Sequence, residues 1–345
     1  MNITFLVGNG FDKALGLKTS YSEFYEWYGK QPSDSDVIKR FKEHIQEDIN
    51  STGGKYWSDF ELGLGKLTSE FDIENVDSFI ECYEDAHEKL IEYLKDESSK
   101  SNIDNYDDTT IGNIADGLIN FYGELMPVEK SEVDSMFKGN LLYNSRIRFI
   151  TYNYTNTIDQ LVNRLSSSVL KEWNSRDGRR SLSVDKKLIH LHGTCDFYPI
   201  TGVNDATQIS NKKLLENLEF SSIMIKENSN NAIGQNWRDD AVKTINGSDI
   251  VCVYGMSLGA TDAFWWKTIM NWLSLNIVRK LIVYWYSDED IGTVSIFKKV
   301  KKNNEIKDML FHYCDFKELT RKTVEKQIYT IINSTNIFKL DGTNI

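Results

Sequence analysis

Five short apolar runs punctuate the chain, at residues 3–7, 147–151, 188–191, 250–254 and 281–286, each bounded by polar residues or glycine. Their hydrophobicity is nearly continuous instead of alternating, which predicts strands covered on both faces, as in a parallel sheet. Helical periodicity follows two of them directly. Thr157, Ile158, Leu161 and Val162 come after the second run, and Phe264, Trp265, Trp266, Trp272 and Leu273 after the fourth. Strand, loop, helix, strand is the order of a βαβ unit, so the pattern predicts an α/β fold.

About 140 residues separate the first two strands, far more than the dozen or so that one crossover needs. The apolar positions Ile80, Tyr83, His87, Leu90, Ile91 and Leu94 repeat with helical spacing and leave acidic residues on the other face. Residues 26–140 are therefore expected to be a mainly helical insertion over the sheet. Residues 1–25 and 141–330 would form the α/β core, and 331–345 a frayed tail. The polar stretches 166–168, 173–180 and 227–234 read as surface loops.

Composition narrows the class. An apolar fraction of 40% in 345 residues supports a packed core without staples, and three prolines suit long uninterrupted elements. Cys82, Cys195, Cys252 and Cys314 lie far apart with no paired spacing, so neither a disulfide framework nor a cysteine zinc ribbon is indicated. No basic leader precedes the first strand and no run approaches the ~20 apolar residues of a membrane span, so a cytoplasmic protein with no membrane partner is expected. The formal charge of −11 makes a phosphate backbone an unlikely main partner.

The chemistry sits after the strands. The first run ends in Gly8-Asn9-Gly10, followed by Asp12 and a helix start, the way α/β folds build a phosphate cradle from close backbone approach and free N–H groups. The spacing departs from G-x-G-x-x-G and the loop has no Walker lysine. A plain strand-to-helix turn with Asp12 as cap is the alternative reading. Thr151-Tyr152-Asn153-Tyr154-Thr155 closes the second run, His192-Gly193-Thr194 the third, and Gly255-Met256-Ser257 through Asp262 the fourth. Parallel strands put all of these on one edge, where open α/β sheets bind ligands.

These segments carry a resemblance. LVGNGFDKALGLKTSYSEF, WSDFE, ITYNYTNTID, IHLHGT, TGVND and YGMSLGATD, over residues 3 to 290, are similar to the bacterial AbiH abortive-infection family of phage-defence proteins. Their order, glycine loop, T-x-N, H-G and G-x-S, also resembles the nucleotide site of sirtuins and sirtuin-like NADases. The resemblance implies a sirtuin-like or Rossmann-like, mainly parallel sheet with flanking helices, and NAD as substrate or ligand. It places the dinucleotide phosphates on Gly8 and Gly10 and a second ribose or phosphate contact on Gly255 and Ser257; Asn9, Asp12, Thr151 and Thr155 are further candidate contacts, and Asp262 is either a helix N-cap or a ribose ligand. Asn153 falls on the nicotinamide-side ribose and His192 on the catalytic-base position. Thr155 stands where sirtuins carry an aspartate, so Asp12 or Asp159 would have to replace it. The four zinc cysteines of deacetylases are absent, which argues against deacylation.

The implied reaction is hydrolysis of the nicotinamide N-glycosidic bond in phage defence. His192, Asn153 and Glu61 are the expected catalytic residues, with Glu61 able to stabilise an oxocarbenium-like ribose. Against this, Glu61 could lie on a solvated helix face, with Trp57 and Phe60 in the core. His190 and His192 share a strand face, but no third ligand has recognisable spacing, so no metal is expected. Cys195 reads as inert and the tryptophans at 265, 266 and 272 as packing. An effector that depletes NAD must be held inactive by the insertion, by homo-oligomerisation or by a regulatory or phage-derived partner. The rivals are a non-catalytic NAD or ADP-ribose sensor and, less favoured, a nuclease-type effector.

Overall fold

The computed structural model describes residues 1–55, 57–167, 169–289 and 296–338. Seven strands form one sheet: β1 (Asn2–Val7), β2 (Ser145–Thr151), β3 (Val169–Ser175), β4 (Gly178–His190), β5 (Ile250–Tyr254), β6 (Lys280–Trp285) and β7 (Ile328–Ile332). Their order across the sheet is β3-β4-β2-β1-β5-β6-β7. The five expected runs lie in parallel strands, and Ile328–Ile332, with the same apolar signal, adds a sixth, paired to β6. Only β3 runs antiparallel, against β4.

Register decides where the chemistry goes. Val7 pairs with Thr151 on one side and with Tyr254 on the other, and Thr151 pairs with His190. The four strands therefore end level, and the loops after them leave from one edge. Ile3, Phe5 and Val7 pack on one face of the sheet with helices Asp108–Ile119 and Thr157–Ser166. Leu6, Val251, Val253, Leu281 and Val283 pack on the other with helices Trp237–Asn246, Ala263–Ser274 and Ile296–Phe311. Near-continuous apolar strands thus follow from burial on both faces.

Among the described residues, 8–144 contain no strand. Their packing divides. The first helices, including Tyr21–Tyr28, Asp36–Thr52, Phe60–Leu67 and Val76–Ser99, make an aromatic-rich core with residues 203–224. Helices Asp108–Ile119 and Pro127–Gly139 instead join the face of the sheet. Helix Phe60–Leu67 docks tightly: a Cβ on Gly63 would meet the Trp57 ring at 2.3 Å, and one on Gly65 the Gln208 carbonyl oxygen at 2.3 Å.

Several expectations need correction. The sheet is mixed, because residues 173–180 form a β-hairpin and not a loop; Gly178, at φ +123, lets the chain turn, and alternating exposure along β3 marks an edge strand. Residues 227–234 are mostly helix (Lys226–Ala232), capped off by Gly234 at φ +67. The tail is anchored: Ile337 and Phe338 are buried, with Phe338 against Phe5, Phe11, Phe149 and Tyr254. Ser168 of the 166–168 loop and residues 339–345 of the tail lie outside the described residues. No described helix is long and apolar enough to cross a membrane.

Candidate functional site

A cavity of about 450 Å³ opens at the level ends of β1, β2, β4 and β5. Gly8, Asn9, Asp12, Glu61, Asn153, Thr155, His192, Gly255, Ser257 and Asp262 all line it, so the fold gathers most of the expected residues from four loops and two helices. Gly10 and Thr151 stay behind the wall. The Thr151 hydroxyl donates to the Val7 carbonyl at 3.2 Å and accepts the Asn153 N–H at 3.1 Å, which fixes the loop that carries Asn153.

The glycine loop is spent on its neighbour. Gly8 N–H donates to Tyr254 O and Gly10 N–H to Gly255 O, both at 2.9 Å. A Cβ on Gly10 would lie 2.4 Å from Gly255 Cα, and Gly255 holds φ +68, so two backbones meet where neither can carry a side chain. Asn9 exchanges hydrogen bonds with Thr19, its amide donating to the carbonyl and its Oδ1 accepting the hydroxyl. The first loop is thus clamped to β5 and to the segment before helix Tyr21–Tyr28.

Asp12 does not cap its helix. Asn9 holds that position without a side-chain bond, while Asp12, 1% exposed, accepts hydrogen bonds from Thr155 and Thr157, at 2.6 Å and 2.5 Å. Burial raises its pKa, and the two hydroxyls pull it back down, helped by the Asn153 amide, which faces Asp12 without meeting hydrogen-bond geometry. Asp159 is taken by His190, whose Nε2 lies 3.0 Å from Oδ2. The two histidines therefore part: His190 faces Asp159 and the Asn153 carbonyl, His192 the cavity. Among the described residues no group of three or more His, Cys, Asp or Glu is placed to hold a metal.

Glu61 is buried, not on a solvated face. Asp59 caps helix Phe60–Leu67 by accepting from the N–H groups of Glu61 and Leu62, and its other oxygen accepts from Thr261, which ties the helix start to the loop after β5. Glu61 then meets Lys226 Nζ at 2.6 Å, with both residues about nine-tenths buried (5% and 6% exposed). Burial pushes Glu61 up to about 7, against the pull of Lys226. Asp262, part-exposed, stands at the start of helix Ala263–Ser274 but makes no capping bond; burial pushes it up to about 6.

Lys226 also lies 3.5 Å from His192 Nε2. Burial, then the adjacent ammonium, drives the His192 pKa well below its usual value, so the imidazole is neutral. The rings of Tyr152 and Tyr154 flank it, with centroids 5.7 and 6.2 Å away. Tyr152 Oη, Asn153 Nδ2 and His192 Nδ1 are buried without a hydrogen-bond partner. Such groups are rare in native proteins and mark places where a ligand or water completes the network. Cys195 is buried with its thiol pushed up to about 12, which fits an inert role. Trp265, Trp266 and Trp272 are packed in the core.

The sequence reading missed Lys226, expected at most one of Asp59 and Glu61 to face a site where both line the cavity, and gave Tyr152 and Tyr154 no role beyond their segment. Lys226 had one signal, a lysine closing the apolar run Ile223-Met224-Ile225, but its partner is 165 positions away.

The fold and cavity define an α/β protein with an enclosed acid–base cluster at its strand ends. Residues 4–284 match the family model described as Bacteriophage abortive infection AbiH, and the chain belongs to that family. No curated protein matches it. Membership gives the chain a place in abortive infection by bacteriophage.

Proposed function

We propose that the chain is a phage-defence effector that binds NAD or a close relative in this cavity and hydrolyses the bond between nicotinamide and ribose. The order of the six parallel strands, third-second-first-fourth-fifth-sixth, is that of dinucleotide-binding α/β folds, and the cavity lies at their carboxyl ends where the order reverses. The observation that carries the reading is the trio of unpartnered buried groups on Tyr152, Asn153 and His192 beside carboxyls with raised pKa values. Polar groups left unpaired in a buried wall suit the hydroxyls of a ribose, and titratable carboxyls suit proton transfer near neutrality.

The ribosyl half fits better than the phosphates. Asp12, Asp59, Glu61 and Asp262 line the cavity against Lys13 and Lys226, and the Gly8 and Gly10 N–H groups are already committed. A wall rich in carboxylates favours a cationic pyridinium and the positive ribose that forms as it leaves. In hydrolysis, the C–N pair leaves with the neutral base, water adds to the anomeric carbon, and one water proton passes to the protein. Lys226 beside Nε2 makes that nitrogen the acceptor and leaves the proton on Nδ1, so His192 donates to a hydroxyl in this arrangement. Asp262, whose carboxylate makes no hydrogen bond among the described residues, takes the water proton. Glu61, paired with Lys226, adds negative charge in its ionised form, above about pH 7.

Thr155, spent on Asp12, favours a second reading in which the cavity holds a nucleotide without turnover. Regulation by the helices of residues 26–140, by self-association or by a phage component belongs to either reading. The test measures cellular NAD and nicotinamide by mass spectrometry after phage infection, in cells carrying wild type, Asp262→Asn or His192→Ala. Depletion in wild type alone is expected. Intact NAD during active defence overturns the hydrolase and leaves the sensor to be tested by nucleotide binding.

A further inference from the structure

Behind the segment that carries Asn153 lies a second cavity, of about 390 Å³, within the ~300–1,000 Å³ range of small-molecule sites. Tyr154 and Thr155 are common to both cavities, so one stretch of chain separates them. Their chemistry differs. The main cavity carries four carboxylates, two lysines and His192 among its hydroxyls, whereas the second is lined mainly by hydroxyls and amides, including Ser101, Asn102, Asn156, Gln160 and Thr194. Among the described residues its charged side chains are Lys95 and Asp196, which pair with each other at 2.9 Å.

The second cavity also holds an unmet polar group. Ser101 is 8% exposed and its Oγ has no partner. Asn156, at the N-cap before helix Thr157–Ser166, makes no side-chain cap, and Asn102 makes none before the turn Ile103–Asn105. A buried hydroxyl without a partner is a cost that a bound polar ligand removes.

We propose that this second cavity is a binding site for an uncharged, hydroxyl-rich ligand of nucleoside size. Neutral walls disfavour a phosphate or carboxylate, whose desolvation no cation here would offset. Paired hydroxyls and amides match the sugar hydroxyls and the amino and ring-nitrogen groups of a nucleoside. The site is distinct from the reaction cavity and does not depend on hydrolysis there.

The probe is adenosine, titrated by calorimetry into the full chain, with adenosine monophosphate as the charged comparison. Wild type is expected to bind adenosine at least ~10-fold tighter than the monophosphate. Asn156→Trp, at an exposed position that fills the mouth, should weaken adenosine by more than ~10-fold, and Ser101→Ala by ~2–10-fold from one lost hydrogen bond. His192→Ala should leave binding unchanged. Absence of binding, equal affinity for the two ligands, or loss in His192→Ala overturns the proposal. None of these readouts uses NAD turnover, so failure here is separate from failure of the hydrolase reading.

Discussion

Lys226→Met isolates the electrostatics of the cavity. The ammonium sits 2.6 Å from Glu61 Oε2 in a nearly dry wall, and Met keeps the stem while removing the charge. Glu61 would retain at most the Tyr154 hydroxyl, 3.4 Å away and already donating to the Ile200 carbonyl at 2.8 Å. Removing one partner of a buried pair costs about 3–5 kcal/mol, because the other charge stays buried and uncompensated. The cost must depend on pH. The folded-state pKa of Glu61 is raised from 4.5 to about 7, so the stability it contributes is fully present below the unfolded value and is lost as pH rises through about 7. Lys226 is what holds Glu61 down, so in the variant that window moves to higher pH. Urea unfolding at about pH 8.5 should show the full loss, and at about pH 5.5 a loss smaller by more than ~1.4 kcal/mol, the equivalent of one pKa unit. Adding Glu61→Gln should recover much of the loss at the higher pH. An equal loss at both pH values, or no recovery, would refute the uncompensated carboxylate.

Gly10→Ala forces a Cβ to within 2.4 Å of Gly255 Cα and should destabilise by about 1–3 kcal/mol; Gly112→Ala, in a helix with open space, should stabilise by about 0.5–1 kcal/mol, both read from urea midpoints. A neutral Gly10→Ala would show that the two loops do not need their close contact. Phe338→Ala removes a ring 3% exposed from the sheet face and should cost about 3–5 kcal/mol, whereas a frayed tail would give no change in the unfolding midpoint. If Asp262 takes the water proton, nicotinamide release falls below about pH 6 in wild type, and Asp262→Asn loses ~10²–10⁴-fold activity together with that acid limb; an unchanged limb would move the base to another group.

Five of the parallel strands were legible because burial on both faces leaves a local mark; IYTII at 328–332 carries the same mark but was passed over, with its last two residues assigned to the tail. The hairpin was not. Trp173 to Arg180 is polar and alternates in exposure, so at an edge strand its composition looks like a loop. Helix Lys226–Ala232 was hidden for a similar reason: Asn and Ser dominate it, and its position rests on packing and not on propensity.

By itself the sequence determined which segments end at the sheet edge, since apolar runs, glycines and polar loop residues are local properties set by the period of each element. It could place Gly8, Asn153, His192 and Asp262 near one another through the single assumption that the strands are parallel. Only the tertiary structure decided what those residues do. It turned Gly10 toward Gly255, gave Asp12 to Thr155 across 143 positions, and brought Lys226 to Glu61 across 165. Pairings at such separations leave no periodic trace, because they depend on how helices and loops pack. The pKa values that make carboxyls useful depend on the burial which that packing creates.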